Sequence, residues 1–195
     1  SYVKELDEAL SLIRRAHAEL IEEGNDVVFP QIGVMVEVPA AVYLAGQLAE
    51  RVDFLSVGSN DLTQYILAVD RNNPSVAELY DAYHPAVLQA LSQVAKVGRQ
   101  AGKPVSICGE LAGDPGAAIL LMAMGYDSLS MSATNLPKVK SVLRGISQVE
   151  AQALLSKVLD LCEIADIHAA VDDLLEAKGI TRLFGERIKR RHLNS

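Results

Sequence analysis

Glu37, Asn60, Asp61, Arg71 and Cys108 are the residues of this chain whose types and settings fit chemistry. Asn60 and Asp61 lie in Ser56-Val57-Gly58-Ser59-Asn60-Asp61-Leu62-Thr63-Gln64, where the apolar run Phe54-Leu55-Ser56-Val57 ends and Gly58 lets the backbone turn. Glu37 arrives the same way in Ile32-Gly33-Val34-Met35-Val36-Glu37-Val38-Pro39, with Pro39 placed where a helix can begin. At the C-terminal end of a parallel strand, short polar side chains face the crevice in which α/β proteins bind ligands. Two carboxylates on neighbouring strand ends suit a hard divalent cation. Mg²⁺ takes one or two carboxylates and completes its shell with water and substrate oxygens. Taken singly, each acid also reads as a helix cap.

The neighbours extend that chemistry. The Asn60 amide can donate to a carboxylate or phosphate oxygen while Asp61 engages the metal, or it can simply form a turn. Arg71, in Val69-Asp70-Arg71-Asn72-Asn73-Pro74, offers a planar guanidinium for two-point recognition of an anion; pairing with Asp70 is the rival. Cys108 ends Val105-Ser106-Ile107-Cys108-Gly109-Glu110 and is either core filler or a proton donor facing the crevice. Apolar surroundings would keep such a thiol protonated, as an acid requires. Glu110 orients its neighbours or caps the following turn. The histidines, His17, His84, His168 and His192, end no strand and suit surface or capping positions. Tyr80 and Tyr83 read as packing residues.

Positioning these groups takes strands separated by helices. Apolar residues Leu6, Leu10, Ile13, Ala16, Leu20 and Ile21 have helical spacing, and Gly24-Asn25 stops that helix, which spans residues 2 to 23. Strands follow at 32 to 36, 54 to 57, 104 to 108 and 128 to 131. Helices are predicted at 39 to 49, 85 to 101, 115 to 124 and 135 to 144, with helical pieces between 61 and 81. Two more, at 147 to 159 and 163 to 178, complete the pattern. Strands alternating with helices of this length imply an α/β fold with parallel pairing through right-handed crossovers. The opening helix resembles a connector from a preceding strand.

The 195 residues are 50% hydrophobic and 22% charged, the composition of a folded globular protein. No apolar run is long enough for a membrane span, and no signal peptide opens the chain, so a cytoplasmic protein is expected. The net charge of −7 argues against nucleic acid as the main partner. Cys108 and Cys162 show neither zinc nor disulfide spacing. Residues 179 to 195 form a basic tail with Arg182, Arg187, Lys189, Arg190 and Arg191 against Glu186, read as a solvated terminus or an anion contact.

Four ordered blocks between Gln31 and Gly145 resemble the phosphoenolpyruvate-utilising enzymes. More narrowly, they resemble the enzyme I family of the bacterial phosphotransferase system, the phosphoenolpyruvate-protein phosphotransferases. The blocks are Gly33 to Pro39, Ser56 to Gln64 with Leu67 to Asn72, Cys108-Gly109-Glu110-Leu111-Ala112-Gly113-Asp114, and Leu129-Ser130-Met131-Ser132. Tyr80-Asp81, His84-Pro85-Ala86 and Val139-Lys140 are similar to the nitrogen-regulatory branch. The resemblance implies the C-terminal half of a (β/α)₈ barrel: residues 1 to 24 a connecting helix, 31 to 145 the half barrel, 146 to 195 C-terminal helices and tail. It implies Glu37 and Asp61 as ligands of Mg²⁺, with Asn60, Asp61 and Arg71 at phosphoenolpyruvate. Cys108 matches the proton donor that yields pyruvate. The phospho-accepting histidine, further phosphate-binding arginines and the contact to the phosphocarrier protein are expected in absent N-terminal parts, leaving this fragment inactive alone. A half barrel would leave two open edges and an uncovered apolar face, hence a homodimer. Related dikinases and synthases acting on phosphoenolpyruvate, or a non-catalytic dimerisation or regulatory module, are the alternatives.

Overall fold

The computed structural model describes residues 2–180, so the basic tail from residue 181 and His192 lie outside the described residues. Four strands, β1 (Gly33–Val36), β2 (Phe54–Gly58), β3 (Val105–Cys108) and β4 (Ser128–Ser130), form one sheet in the order β1-β2-β3-β4. All three pairings are parallel. The helices are α1 (Val3–Glu22), α2 (Pro39–Tyr43), α3 (Ala45–Ala49), α4 (Ser59–Leu67), α5 (Pro85–Gln100), α6 (Pro115–Met124), α7 (Leu136–Gly145), α8 (Gln148–Leu159) and α9 (Ile164–Ala177). Consecutive strands separated by helices and paired in chain order make a partial (β/α)₈-type barrel, as expected.

Local chemistry explains the helix starts. His84 accepts the Ala86 amide through Nδ1 and Pro85 occupies the first turn of α5, where its missing N–H costs nothing. Asp114 accepts the Ala117 amide at 2.9 Å and Pro115 follows. Ser147 and Glu150 close a reciprocal capping box at α8. The expected helix over 39 to 49 is instead two short helices, because Leu44 leaves helical geometry at φ −95° and ψ 2°.

Side chains alternate across the sheet. One face carries Val36, Leu55, Val57, Val105 and Ile107, each at most 1% exposed, and α5 packs against β2 and β3 on this side. Burial of each such side chain contributes on the order of 1.5–3 kcal/mol. The helix α6 is buried on nearly every side, between α7, α8 and α9, which accounts for its unbroken apolar sequence Ala-Ala-Ile-Leu-Leu-Met-Ala-Met.

The opposite face corrects the expectation of an uncovered apolar surface. Register places Met35, Ser56, Ser106 and Ser128 in one row across the sheet, and Gly58, Cys108 and Ser130 in the next. Phe54 and Met35 are the large apolar groups on it; β3 and β4 present serine and cysteine. Three serines in a row make this the inner, polar side of the partial barrel. Apolar exposure lies elsewhere: Leu12, Ile13, Leu20 and Ile21 of α1 remain exposed, and Leu10 is the residue of that helix that is buried.

Candidate functional site

Glu37 follows β1 directly, and Val36 pairs with Val57, so Glu37 stands level with Gly58 at the end of β2. Gly58 in turn pairs with Cys108 at the end of β3, and Cys108 with Ser130 of β4. The ends of three strands thus present Glu37, Gly58 and Cys108 at one height on the inner face. Glu37 leans across Gly58: a Cβ at position 58 would stand 3.1 Å from both the Glu37 Cβ and Oε2. The absence of a side chain there is what admits the carboxylate.

Strand β2 runs straight into α4, so Asn60 and Asp61 lie in the first helical turn rather than in a loop. An acid in this position is favoured by the helix dipole. Asp61 is exposed and Glu37 half-buried. Among the described residues, neither carboxylate takes part in a hydrogen bond or ion pair, nor do three or more acid, histidine or cysteine side chains gather as a metal cluster. Two uncommitted carboxylates, one held over a glycine, fit the donor set of Mg²⁺, which leaves most of its shell to water and substrate. Their mutual distance is set by the end of β1 and the first turn of α4.

Hydrogen bonds tie the β2 and β3 ends together. Ser59 Oγ donates to the Cys108 carbonyl at 2.7 Å, and the Glu110 amide donates to Asn60 Oδ1 at 3.0 Å. That bond fixes the Asn60 side chain with its NH₂ turned away as a donor. Gly109, at φ +105°, permits this closeness, since a Cβ there would collide with Ser59 Oγ and Asn60 Oδ1.

Arg71 does not pair with Asp70, which instead accepts the Asn72 amide at 2.9 Å. Its guanidinium lies 3.4 Å from Glu110 Oε1, and its backbone amide donates to Gln64 Oε1 at 3.3 Å. Glu110 makes no capping bond to the short helix that follows it, so its carboxylate serves Arg71 rather than the turn. The structure therefore brings Asn60, Arg71 and Glu110 together around the loops after β2 and β3.

Cys108 is half-buried, with Gly58 and Ser130 level with it on the neighbouring strands. Cys162 is exposed and distant in sequence from every strand end. Tyr80 and Tyr83 do more than pack. The Tyr80 hydroxyl donates to the Asn60 carbonyl at 3.4 Å, and burial raises its pKa, with Thr63 and Arg71 opposing. Tyr83, 5% exposed, donates to Asp114 Oδ1 at 2.5 Å. His168 also departs from its expected surface or capping role: its ring packs against Tyr83, tilted by 47° at a centroid distance of 4.4 Å, and its Nε2 lies 3.0 Å from Asp81 Oδ2. His17 lies on α1 against Phe29, and His84 caps α5 as expected. A tyrosine drawn out of bulk water seldom leaves its hydroxyl unpaired, which accounts for both bonds.

Residues 1–148 match the family described as PEP-utilising enzyme, PEP-binding domain. A Salmonella typhimurium protein named phosphoenolpyruvate-dependent phosphotransferase system is 44% identical over 179 residues, 91% of this chain and 24% of that protein. Phosphoenolpyruvate-protein phosphotransferases of Haemophilus influenzae and Lactococcus lactis are each 42% identical, over 177 and 173 residues. Those matches cover 89% and 88% of this chain and 30% of each relative, so the chain spans less than a third of the curated relatives' length. Polar strand ends on a parallel sheet and this extent of similarity lead to one conclusion: the chain belongs to the phosphoenolpyruvate-utilising enzymes, in their PEP-binding domain.

Proposed function

We propose that this chain binds Mg²⁺ and phosphoenolpyruvate at the ends of β1, β2 and β3, as part of a phosphoenolpyruvate-protein phosphotransferase. The phosphoryl group would pass to a protein histidine outside these residues, releasing pyruvate. The observation that carries this reading is Glu37 lying over Gly58 at the level of Cys108, with Asn60 and Asp61 entering from the next helical turn. Glu37 and Asp61 would hold the metal, whose charge stabilises the oxygens that gain charge as the phosphoryl group departs.

Each side chain then has a distinct task. Asn60 directs its NH₂ at a phosphate or carboxylate oxygen, and Arg71, held by Glu110, presents its remaining N–H groups to the same anion. When the phosphorus–oxygen bond breaks, its electron pair stays with the enolpyruvate oxygen. Cys108 Sγ–H gives its proton to the methylene carbon, leaving a thiolate and pyruvate. Ser59 fixes the Cys108 backbone during this step through the bond to its carbonyl.

The similarity of Tyr80-Asp81, His84-Pro85-Ala86 and Val139-Lys140 supports the nitrogen-regulatory branch within that reading. A cytoplasmic setting and a phosphocarrier partner belong to the same proposal. Among the described residues no helix is long and apolar enough to cross a membrane. Alone, the chain is expected to bind without turnover. Calorimetric titration of phosphoenolpyruvate into the chain tests this: heat should require Mg²⁺ and disappear in Asp61→Ala. Heat independent of Asp61, or none in the wild type, would favour a non-catalytic module.

A further inference from the structure

Two loops carry the anion-facing side of the site. The first, residues 68 to 84 between α4 and α5, holds Arg71; the second, residues 109 to 114 between β3 and α6, holds Glu110 and adjoins Cys108. Near their beginnings they meet through the Arg71–Glu110 contact, whose acid is 80% exposed and whose bond is correspondingly weak. At their C-terminal ends they meet through Tyr83 and Asp114.

The second contact is far better constrained. Asp114 Oδ1 accepts both the Tyr83 hydroxyl and the Ala117 amide, so the carboxylate is anchored to the start of α6. The Tyr83 oxygen is crowded from α6 itself, since a Cβ at Gly116 would stand 2.9 Å from it. The Tyr83 ring packs tilted against His168 of α9, while its backbone amide donates to Asp81 Oδ1 and Asp81 Oδ2 faces His168. One residue of the first loop is therefore held by α6 and α9 at once, three positions after Tyr80 touches Asn60.

From this geometry we infer that Tyr83 is a positioning residue: through Asp114 it locks the Arg71 loop to the loop following Cys108, so that both reach the substrate as one unit. The inference rests on the phosphoenolpyruvate reading above. It assigns Tyr83 no contact with substrate or metal. Loss of its hydroxyl should leave the strand-end carboxylates where they are and let the Arg71 arm drift relative to β3.

Tyr83→Phe keeps the ring on His168 and deletes the bond to Asp114. In the full 195-residue chain, phosphoenolpyruvate should bind about tenfold more weakly at saturating Mg²⁺, the scale of one hydrogen bond to a charged group, while Mg²⁺ alone binds as in the wild type. Asp114→Asn alone retains an acceptor oxygen for the Tyr83 hydroxyl and should keep near-normal binding, whereas Asp114→Ala should mimic Tyr83→Phe. Hydrogen exchange without ligand gives a readout independent of chemistry: amides of residues 71 to 79 and 109 to 113 should lose protection together. Unchanged phosphoenolpyruvate affinity in Tyr83→Phe, or loosening of one loop alone, overturns the inference. So does an equal loss of Mg²⁺ affinity, which would mark a general structural defect. If Tyr83→Phe does not fold, Asp114→Ala removes the bond from its other end and decides. A wild-type chain silent toward phosphoenolpyruvate overturns the ligand reading itself; joint loosening by exchange still judges the lock.

Discussion

At the scale of single residues, the site depends on a hydrogen atom where other residues carry a methyl. Gly58 has no positive φ to explain it; its role is to leave room for the Glu37 carboxylate. Gly58→Ala should lower Mg²⁺ affinity about tenfold, in the range seen when groups orienting a ligand are disturbed. Isothermal titration with the metal alone measures it, with a thermal melt to show the fold intact. In the complete phosphotransferase, Cys108→Ala should still form phosphohistidine from phosphoenolpyruvate but slow pyruvate release by about 10²-fold or more, the contribution of a positioned acid. Equal loss of both steps would remove Cys108 from the proton transfer. Glu37, Asn60, Asp61 and Cys108 were legible in the sequence because each ends an apolar run, a local signal. The Arg71–Glu110, Tyr83–Asp114 and His168–Asp81 contacts were not, because their partners lie 39, 31 and 87 positions apart and nothing local specifies them.

At the scale of elements, an ion pair ties the two C-terminal helices α8 and α9 to each other. Lys178, just past α9, reaches Glu150 in the first turn of α8 at 2.5 Å. That ammonium, helped by Ser147, pulls the Glu150 carboxyl from its ordinary 4.5 down to about 2. Because the folded value lies below the unfolded one, the stabilisation is complete above pH 4.5 and is lost as pH falls through about 2. Glu150→Gln should therefore melt slightly below the wild type at pH 7 and together with it near pH 2. A constant gap across that interval would show that packing rather than charge is at work. Solvent exposure keeps the effect small. Helix boundaries were read to within a residue or two where caps announce them, as at Pro85, Asp114-Pro115 and Ser147. The break at Leu44 has no such cap: Ala40-Ala41-Val42-Tyr43 before it and Ala45-Gly46-Gln47-Leu48-Ala49 after it read as one continuous helix.

At the scale of the molecule, among the described residues β1 and β4 end the sheet without a further strand, and α1 keeps much of its apolar stripe in water. Self-association is the expected response, with Leu12, Ile13, Leu20 and Ile21 as its apolar contribution. Sedimentation at micromolar concentration should show a dimer, and a clean monomer would remove that expectation. Parallel order and strand number were legible from alternating strand and helix patterns. Alternation already puts Ser106 and Cys108 on one face of β3; what the sequence does not show is the register that lines Ser106 up with Ser56 and Ser128 into a polar row.

Each strand pairs with the one that precedes it in the chain, with nothing interleaved. Closing each pair spans only the helices that lie between two consecutive strands, so loop-closure entropy is met in instalments rather than in one long-range event. Assembly can then proceed as successive additions to a growing edge. The same geometry means that a strand–helix unit supplied at either border would dock by the operation that built the rest, leaving the interior pairings undisturbed.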